Sequence, residues 1–185
     1  CGSLNHPKFP EQKKVFAPKP LLGEVIDSVE NFIRQNHLPS VNYNIETKST
    51  PEGDDVFHPK PEVFAKLLYD LLKQKNILGK CIIQSFDPRT LKVIHLKDSS
   101  VTTALLVADI DSFEKNVEQL GFTPAIYSPN FVLVTEKMIE KCHKQNVKII
   151  PWTVNDEDKM VKLKNMGVDG LITDYPDRAI KVLKK

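Results

Sequence analysis

The sequence predicts an α/β protein built on a parallel sheet, and three observations carry that prediction. Short runs of strand length alternate with helical patterns along the chain after residue 20, with short connections between them. Alternation of this kind gives right-handed βαβ units and a parallel sheet. Runs such as CIIQ (81–84) and ALLV (104–107) are largely apolar, as strands covered on both faces are. Polar residues recur at the C-terminal ends of the predicted strands. An open doubly wound sheet and a barrel both fit this pattern. Neither G-x-G-x-x-G nor G-x-x-x-x-G-K-S/T occurs, which argues against a nucleotide fold.

Residues 1–19 hold Pro7, Pro10 and Pro18 with little periodicity and read as loop. A helix is predicted from Pro20, with Leu22, Val25, Ile26, Val29, Phe32 and Ile33 on one face and Pro39 beyond its end. Residues 41–49 alternate like a strand, and a loop with Pro51, Gly53 and Asp54 follows. Pro61 opens a helix whose predicted buried face is Val63, Phe64, Leu67, Leu68, Leu71 and Leu72, with Gly79 as its stop. Residues 81–86 read as a strand, 88–96 as a short helix and 102–109 as a strand. Phe113, Val117 and Leu120 mark a helix that Gly121 ends. Residues 125–131 read as a short extended piece with a turn, and Met138, Ile139 and Cys142 mark the next helix. Residues 147–155 form a predicted strand. Asn155 is the expected N-cap of a helix carrying Met160, Val161, Leu163 and Met166, with Gly167 past its end. Residues 169–177 hold the last predicted strand and 179–183 a final short helix.

Composition narrows the function classes. The 185 residues carry 26 basic and 24 acidic side chains, a net charge of +2, and no basic block stands apart, so there is no nucleic-acid footprint. No apolar run approaches the roughly 20 residues of a membrane span. The cysteines, Cys1, Cys81 and Cys142, are widely spaced, and Cys81 and Cys142 read as buried thiols rather than metal ligands.

The predicted strand ends collect Glu46, Lys48, Gln84, Ser85, Asp109, Trp152, Thr153, Asn155, Thr173 and Asp174. Glu46 and Lys48 stand two apart on a strand and so point the same way. One reading is a plain ion pair. The other is a carboxylate for a hard divalent cation beside an ammonium that holds a phosphate oxygen. Trp152 is either core or the wall of a pocket.

Several segments, in order, resemble the glycerophosphodiester phosphodiesterases. NYNIETKS (42–49) resembles their fourth-strand N-I-E-I-K, and IIQSF (82–86) their fifth-strand signature. IIPWTVN (149–155) and GVDGLITDYPD (167–177) resemble their last two strands, and CGS…FPEQ their D-x-G-S segment. The resemblance implies a TIM (β/α)8 barrel, of which residues 1–185 are a partial domain of about the last five βα units, with the first strands missing. It implies hydrolysis of glycerophosphodiesters to glycerol 3-phosphate and an alcohol with calcium or magnesium. It assigns Glu46 as a metal ligand, Lys48 as the phosphate-side lysine, Trp152 to the wall around the glycerol moiety, and Gln84, Ser85 and Phe86 to the rim.

The chain departs from that family at the front. The first-strand His-Arg-Gly, the second-strand Glu-x-Asp and the later His-Asp do not occur, and none of the five histidines stands in such a motif. The acid and base are therefore expected from a missing N-terminal part of the same barrel, and this chain alone is expected to be inactive. The resemblance also allows the substrate's own 2-hydroxyl as nucleophile, through a cyclic phosphate. Two rival readings are a glycerol-phosphate binding protein without turnover and a structural fragment that needs its other half. Cys1 fits a chain cut within a D-C-G-S segment better than a lipoprotein start. Export is common among such relatives, which points to the periplasm or cell envelope.

Overall fold

The computed structural model describes residues 2–183, so Cys1 and the reading placed on it lie outside the described residues. The chain falls into two compact units that divide between Val41 and Asn42. In the first unit, residues 2–20 form turns and extended chain, as the prolines predict. Helix α1 (Leu22–Gln35) begins two residues after Pro20, where the Glu24 carboxylate accepts the Leu21 N–H at 2.9 Å. It ends before Pro39 is reached. His37 turns left-handed at φ 52, and the Leu38 N–H donates back to the Ile33 carbonyl at 3.0 Å. Of the predicted apolar face only Ile26 is fully buried, while Phe32 is 59% exposed.

In the second unit, β1 (Tyr43–Glu46), β2 (Cys81–Ser85), β3 (Thr102–Val107), β4 (Ile126–Pro129) and β5 (Lys148–Ile149) lie side by side in chain order, all parallel. Helices α2 (Pro61–Gln74), α3 (Pro88–Lys97), α4 (Phe113–Leu120) and α5 (Glu136–Lys144) fill the four crossovers; α6 (Glu157–Met166) and α7 (Pro176–Leu183) follow. A doubly wound sheet reverses its strand order at a switch point, whereas a barrel adds each strand beside the last. These strands never reverse, so the order is that of a β/α barrel, of which the described residues form five strands.

The register divides the sheet into two faces. Ser85, Leu105, Tyr127 and Ile149 form one row and are all buried. This row faces the helices: Tyr127 meets Phe113 of α4 edge-on at 5.1 Å and accepts a hydrogen bond from Asn116 Nδ2 at 2.9 Å. The opposite face carries the row Glu46, Gln84, Ala104, Ile126 and Lys148. Side chains at the helix starts fix the crossovers. Asp87, Ser112, Thr135 and Asp156 accept the backbone N–H groups of Arg89, Lys115, Met138 and Lys159. Each such cap contributes about 1 kcal/mol. Gly121 and Gly167 close α4 and α6 in left-handed conformation, at φ 76 and φ 95, as predicted.

Several expectations are corrected. The buried face of α2 is Pro61, Ala65, Leu68, Tyr69 and Leu72, while Val63 and Leu67 are more than half exposed. The face is rotated so that small Ala65 is fully buried and Tyr69 reaches Asp98 at 3.0 Å. That helix ends at Gln74 by way of left-handed Asn76 (φ 56), and Gly79 lies in the short 3-10 turn beyond. Residues 126–129 are a full strand, β4, while the predicted strand 147–155 pairs regularly only over Lys148–Ile149, with one bridge from Trp152 to Asn130. The α6 cap is Asp156 rather than Asn155, whose amide instead bonds Asp174 and Thr173. Residues 169–177 form no regular strand. They run beside 149–154 through hydrogen bonds such as Val154 N–H to Ile172 O at 2.8 Å. This last segment is held by packing, since Leu171, Ala179 and Val182 lie against buried Val154, Met160 and Leu163.

Candidate functional site

Strand alternation fixes what reaches the open face of the sheet. At the end of β1, Glu46 and Lys48 point to that face while Thr47 and Ser49 point back. Lys48 Nζ lies 2.7 Å from Glu46 Oε1. The lysine side chain is 79% exposed and the carboxylate 22%, so the paired ammonium reaches into solvent while the carboxylate is seated in the wall. Both line an open recess of about 480 Å³, together with Ser49, Phe57, His58 and Phe86. Phe86, half exposed, meets the Trp152 ring edge-on at 5.2 Å. Trp152 is held in place by its Nε1–H, which donates to the Ser128 carbonyl at 2.8 Å.

Of the sequence-predicted site residues, Glu46, Lys48 and Phe86 line one recess, and Trp152 joins it through Phe86. Gln84 stands beside Glu46 in the register, largely buried, with its Oε1 accepting from Asn44 Nδ2 at 3.0 Å. Ser85 is not on this face. It is fully buried in the helix-facing row, and its hydroxyl donates to the Thr47 carbonyl at 2.7 Å. Its contact with the site is through the β1 backbone. Asp109 accepts from the Asp111 N–H at 2.9 Å, and Asn155, Thr173 and Asp174 form a knot of their own.

Calcium and magnesium take six or more oxygen ligands. Among the described residues no group of three or more His, Cys, Asp or Glu side chains converges, and Glu46 is the only carboxylate lining the recess. These residues do not by themselves make a metal centre. His58 also lines the recess, but its Nε2 accepts the Thr50 N–H at 3.0 Å and its Nδ1 lies 3.0 Å from the Pro59 carbonyl, so both ring nitrogens are engaged.

One cluster beside the recess escaped sequence reading. Arg89, at the start of α3, donates to Asp54 Oδ2 at 2.7 Å and Oδ1 at 3.1 Å, and to Asp87 Oδ1 at 3.0 Å and Oδ2 at 2.7 Å. The Arg89 hydrogen bond holds the Asp54 carboxyl below its ordinary range. Burial pushes Asp87 up, but hydrogen bonds from Arg89 and Ser49 outweigh it and hold it low. The two carboxylates in turn raise Arg89. A Pro after an acidic residue signals the cap at Asp87; nothing in the sequence signals a partner 35 positions away at Asp54.

Parallel strands in sequential order, each followed by a helix, with a recess at the C-terminal ends of β1 and β2, define a β/α-barrel protein. Residues 4–178 match the Glycerophosphoryl diester phosphodiesterase family. The chain is 27% identical over 185 residues to a glycerophosphodiester phosphodiesterase of Bacillus altitudinis, covering 98% of this chain and 68% of that protein. A solved structure from Silicibacter pomeroyi DSS-3 superposes with a TM-score of 0.78 at 22% identity, over 96% of this chain and 60% of that one. An Oleispira antarctica phosphodiesterase, solved in complex with the product sn-glycerol-3-phosphate, superposes with a TM-score of 0.70 at 20% identity, over 90% of this chain and 62% of that one. The chain belongs to the glycerophosphoryl diester phosphodiesterase family. It spans 60–68% of the length of these relatives.

Proposed function

We propose that residues 1–185 form the later βα units of a barrel that hydrolyses glycerophosphodiesters to glycerol 3-phosphate and an alcohol. In this reading Lys48 donates to the phosphate oxygens, where a fixed positive charge offsets the charge that develops in the transition state. Glu46 supplies one carboxylate toward calcium or magnesium, and Phe86 and Trp152 form the apolar wall against the glycerol carbons. Gln84 steadies the strand beside Glu46, and Ser85 acts only through the β1 backbone. The remaining carboxylates and the histidine acid and base belong to a further part of the barrel. The observation that carries the proposal is the Glu46–Lys48 pair, 2.7 Å apart and facing one recess at the C-terminal end of β1.

The test is release of glycerol 3-phosphate from glycerophosphocholine and glycerophosphoethanolamine, with calcium or magnesium. The 185-residue chain is expected to give none. Refolding it with a segment that carries His-Arg-Gly, Glu-x-Asp and His-Asp on three βα units is expected to give metal-dependent release. Turnover by the rigorously purified chain alone contradicts the division of roles. A second reading, a glycerol-phosphate binding protein without chemistry, draws on the pairing of Glu46 with Lys48 and the engagement of both His58 ring nitrogens in the recess. It is favoured if the completed barrel binds glycerol 3-phosphate and still releases none.

A further inference from the structure

We infer that Arg89, which no motif of the family resemblance includes, is a positioning residue that holds the Glu46–Lys48 segment and the loop after it in working geometry. The inference rests on the reading of that recess given above. Glu46 and Lys48 face the recess, so their placement depends on what grips the residues between and after them. Thr47 is gripped three ways: its N–H donates to the Gln84 carbonyl at 3.0 Å, its carbonyl accepts from Ser85, and its hydroxyl lies 2.8 Å from Thr90 of α3. Ser49 donates to Asp87 Oδ2 at 3.0 Å. Every one of these grips comes from the corner between β2 and α3, and Asp87 and Arg89 are the charged part of that corner.

The loop beyond Ser49 is folded on itself. The Gly53 N–H donates to Thr50 Oγ1 at 3.2 Å, the Thr50 N–H to His58 Nε2, and the Asp55 N–H to the His58 carbonyl at 2.8 Å. A Cβ added at Gly53 would come within 2.4 Å of His58 Nε2, so the two sides of the loop are closely packed on each other. Its bridge to the β2–α3 corner is Asp54–Arg89–Asp87. Arginine suits that place because its planar fork gives each of two carboxylates a two-pronged contact, a geometry that a lysine ammonium does not reproduce. The side chains of Asp87 and Asp54 are only 5% and 19% exposed. Without the guanidinium they would face each other unscreened, and the loop that carries Phe57 and His58 into the recess would be released.

The experiment is amide hydrogen exchange by NMR on the 185-residue chain, comparing the parent with Arg89→Ala, Arg89→Lys and Asp54→Asn. The same samples are titrated with inorganic phosphate while the Lys48 signals are followed. In all three variants the amides of Thr47, Gly53 and Asp55 are expected to exchange about tenfold faster or more, while Asn130 and Ile150, bonded across β3–β4–β5, keep their protection. Arg89→Lys is expected to recover the thermal midpoint without recovering loop protection, which a merely charge-balancing residue would restore. Asp54→Asn keeps the test open if removal of Arg89 prevents folding. Unchanged loop protection in the variants, or full recovery in Arg89→Lys, overturns the inference. Lost loop protection with no phosphate response in the parent chain sustains the clamp and overturns the reading of the recess.

Discussion

The first and the middle strands of the sheet are held by different physics. Strands β3 and β4 are fixed by packing: Ala104, Leu105, Leu106, Val107, Ile126 and Tyr127 are all at most 5% exposed. Burying one such aliphatic side chain contributes about 1.5–3 kcal/mol whatever its exact orientation. Strand β1 has no fully buried apolar residue, and what fixes its end is a set of directed bonds through Thr47, Ser49, Asp54, Asp87 and Arg89. Packing gives stability that tolerates small shifts. A polar network contributes less net energy but defines positions closely. The candidate site lies at the polar end, where placement matters more than total stability.

The sharpest way to break this contrast is at the centre. Tyr127→Ala removes a fully buried ring packed on Phe113 and is expected to cost about 3–5 kcal/mol in urea unfolding. Protection should fall across the whole sheet. Arg89→Ala is expected to cost less, about 1.5–3 kcal/mol, the range for hydrogen bonds to charged groups, and to act on the β1 end first. If the two variants lost protection in the same places, the division between packed centre and bonded end would fail.

How much of this was legible in the sequence follows the same division. The packed centre was readable because continuous apolar runs such as 104–107 admit few alternatives, and because Gly121 and Gly167 mark helix ends by local backbone chemistry. The Glu46–Lys48 pair was readable because a strand places alternate residues on one face. Ser85 was misplaced for that same reason: adjacent to Gln84 and Phe86, it had to face the other way. The α2 face was misread because large apolar residues do not mark it: small Ala65 and Tyr69 are buried, and Leu67 stays out in solvent. The Arg89 clamp was invisible because Asp54 and Arg89 are 35 residues apart and only the fold brings them together.

Titration should separate the two regions from opposite sides. Asp54 and Asp87 are held below their ordinary range, so their contribution is present above about pH 4 and is lost as pH falls through the lowered folded values. Burial pushes Tyr127 up to about 12, and likewise pushes Cys142 of α5 up to about 12. Both stay neutral in the folded protein where the unfolded chain would ionise. Their contribution is complete below the ordinary thiol value, near 9, and is lost as pH rises toward 12. NMR spectra in acid should therefore lose the signals of residues 47–58 before those of β3 and β4. In alkali the order should reverse, and a single concerted loss at both extremes would contradict the contrast.

The smallest expected change in stability falls on the pair that matters most to the proposed chemistry. Lys48 is largely exposed, and an ion pair of that kind contributes about 0–1 kcal/mol, so Glu46→Gln and Lys48→Met should leave urea midpoints nearly where they are. In the completed barrel, Lys48→Met is expected to lower kcat by about 10²–10³-fold, the usual loss when one fixed donor to a developing negative charge is removed. Glu46→Gln should abolish the metal dependence of whatever turnover is left. A structural ion pair predicts the opposite: a measurable loss of stability and an unchanged rate. Measuring unfolding and turnover on the same two variants therefore decides whether the polar end of the sheet is built to stabilise the fold or to place a charge.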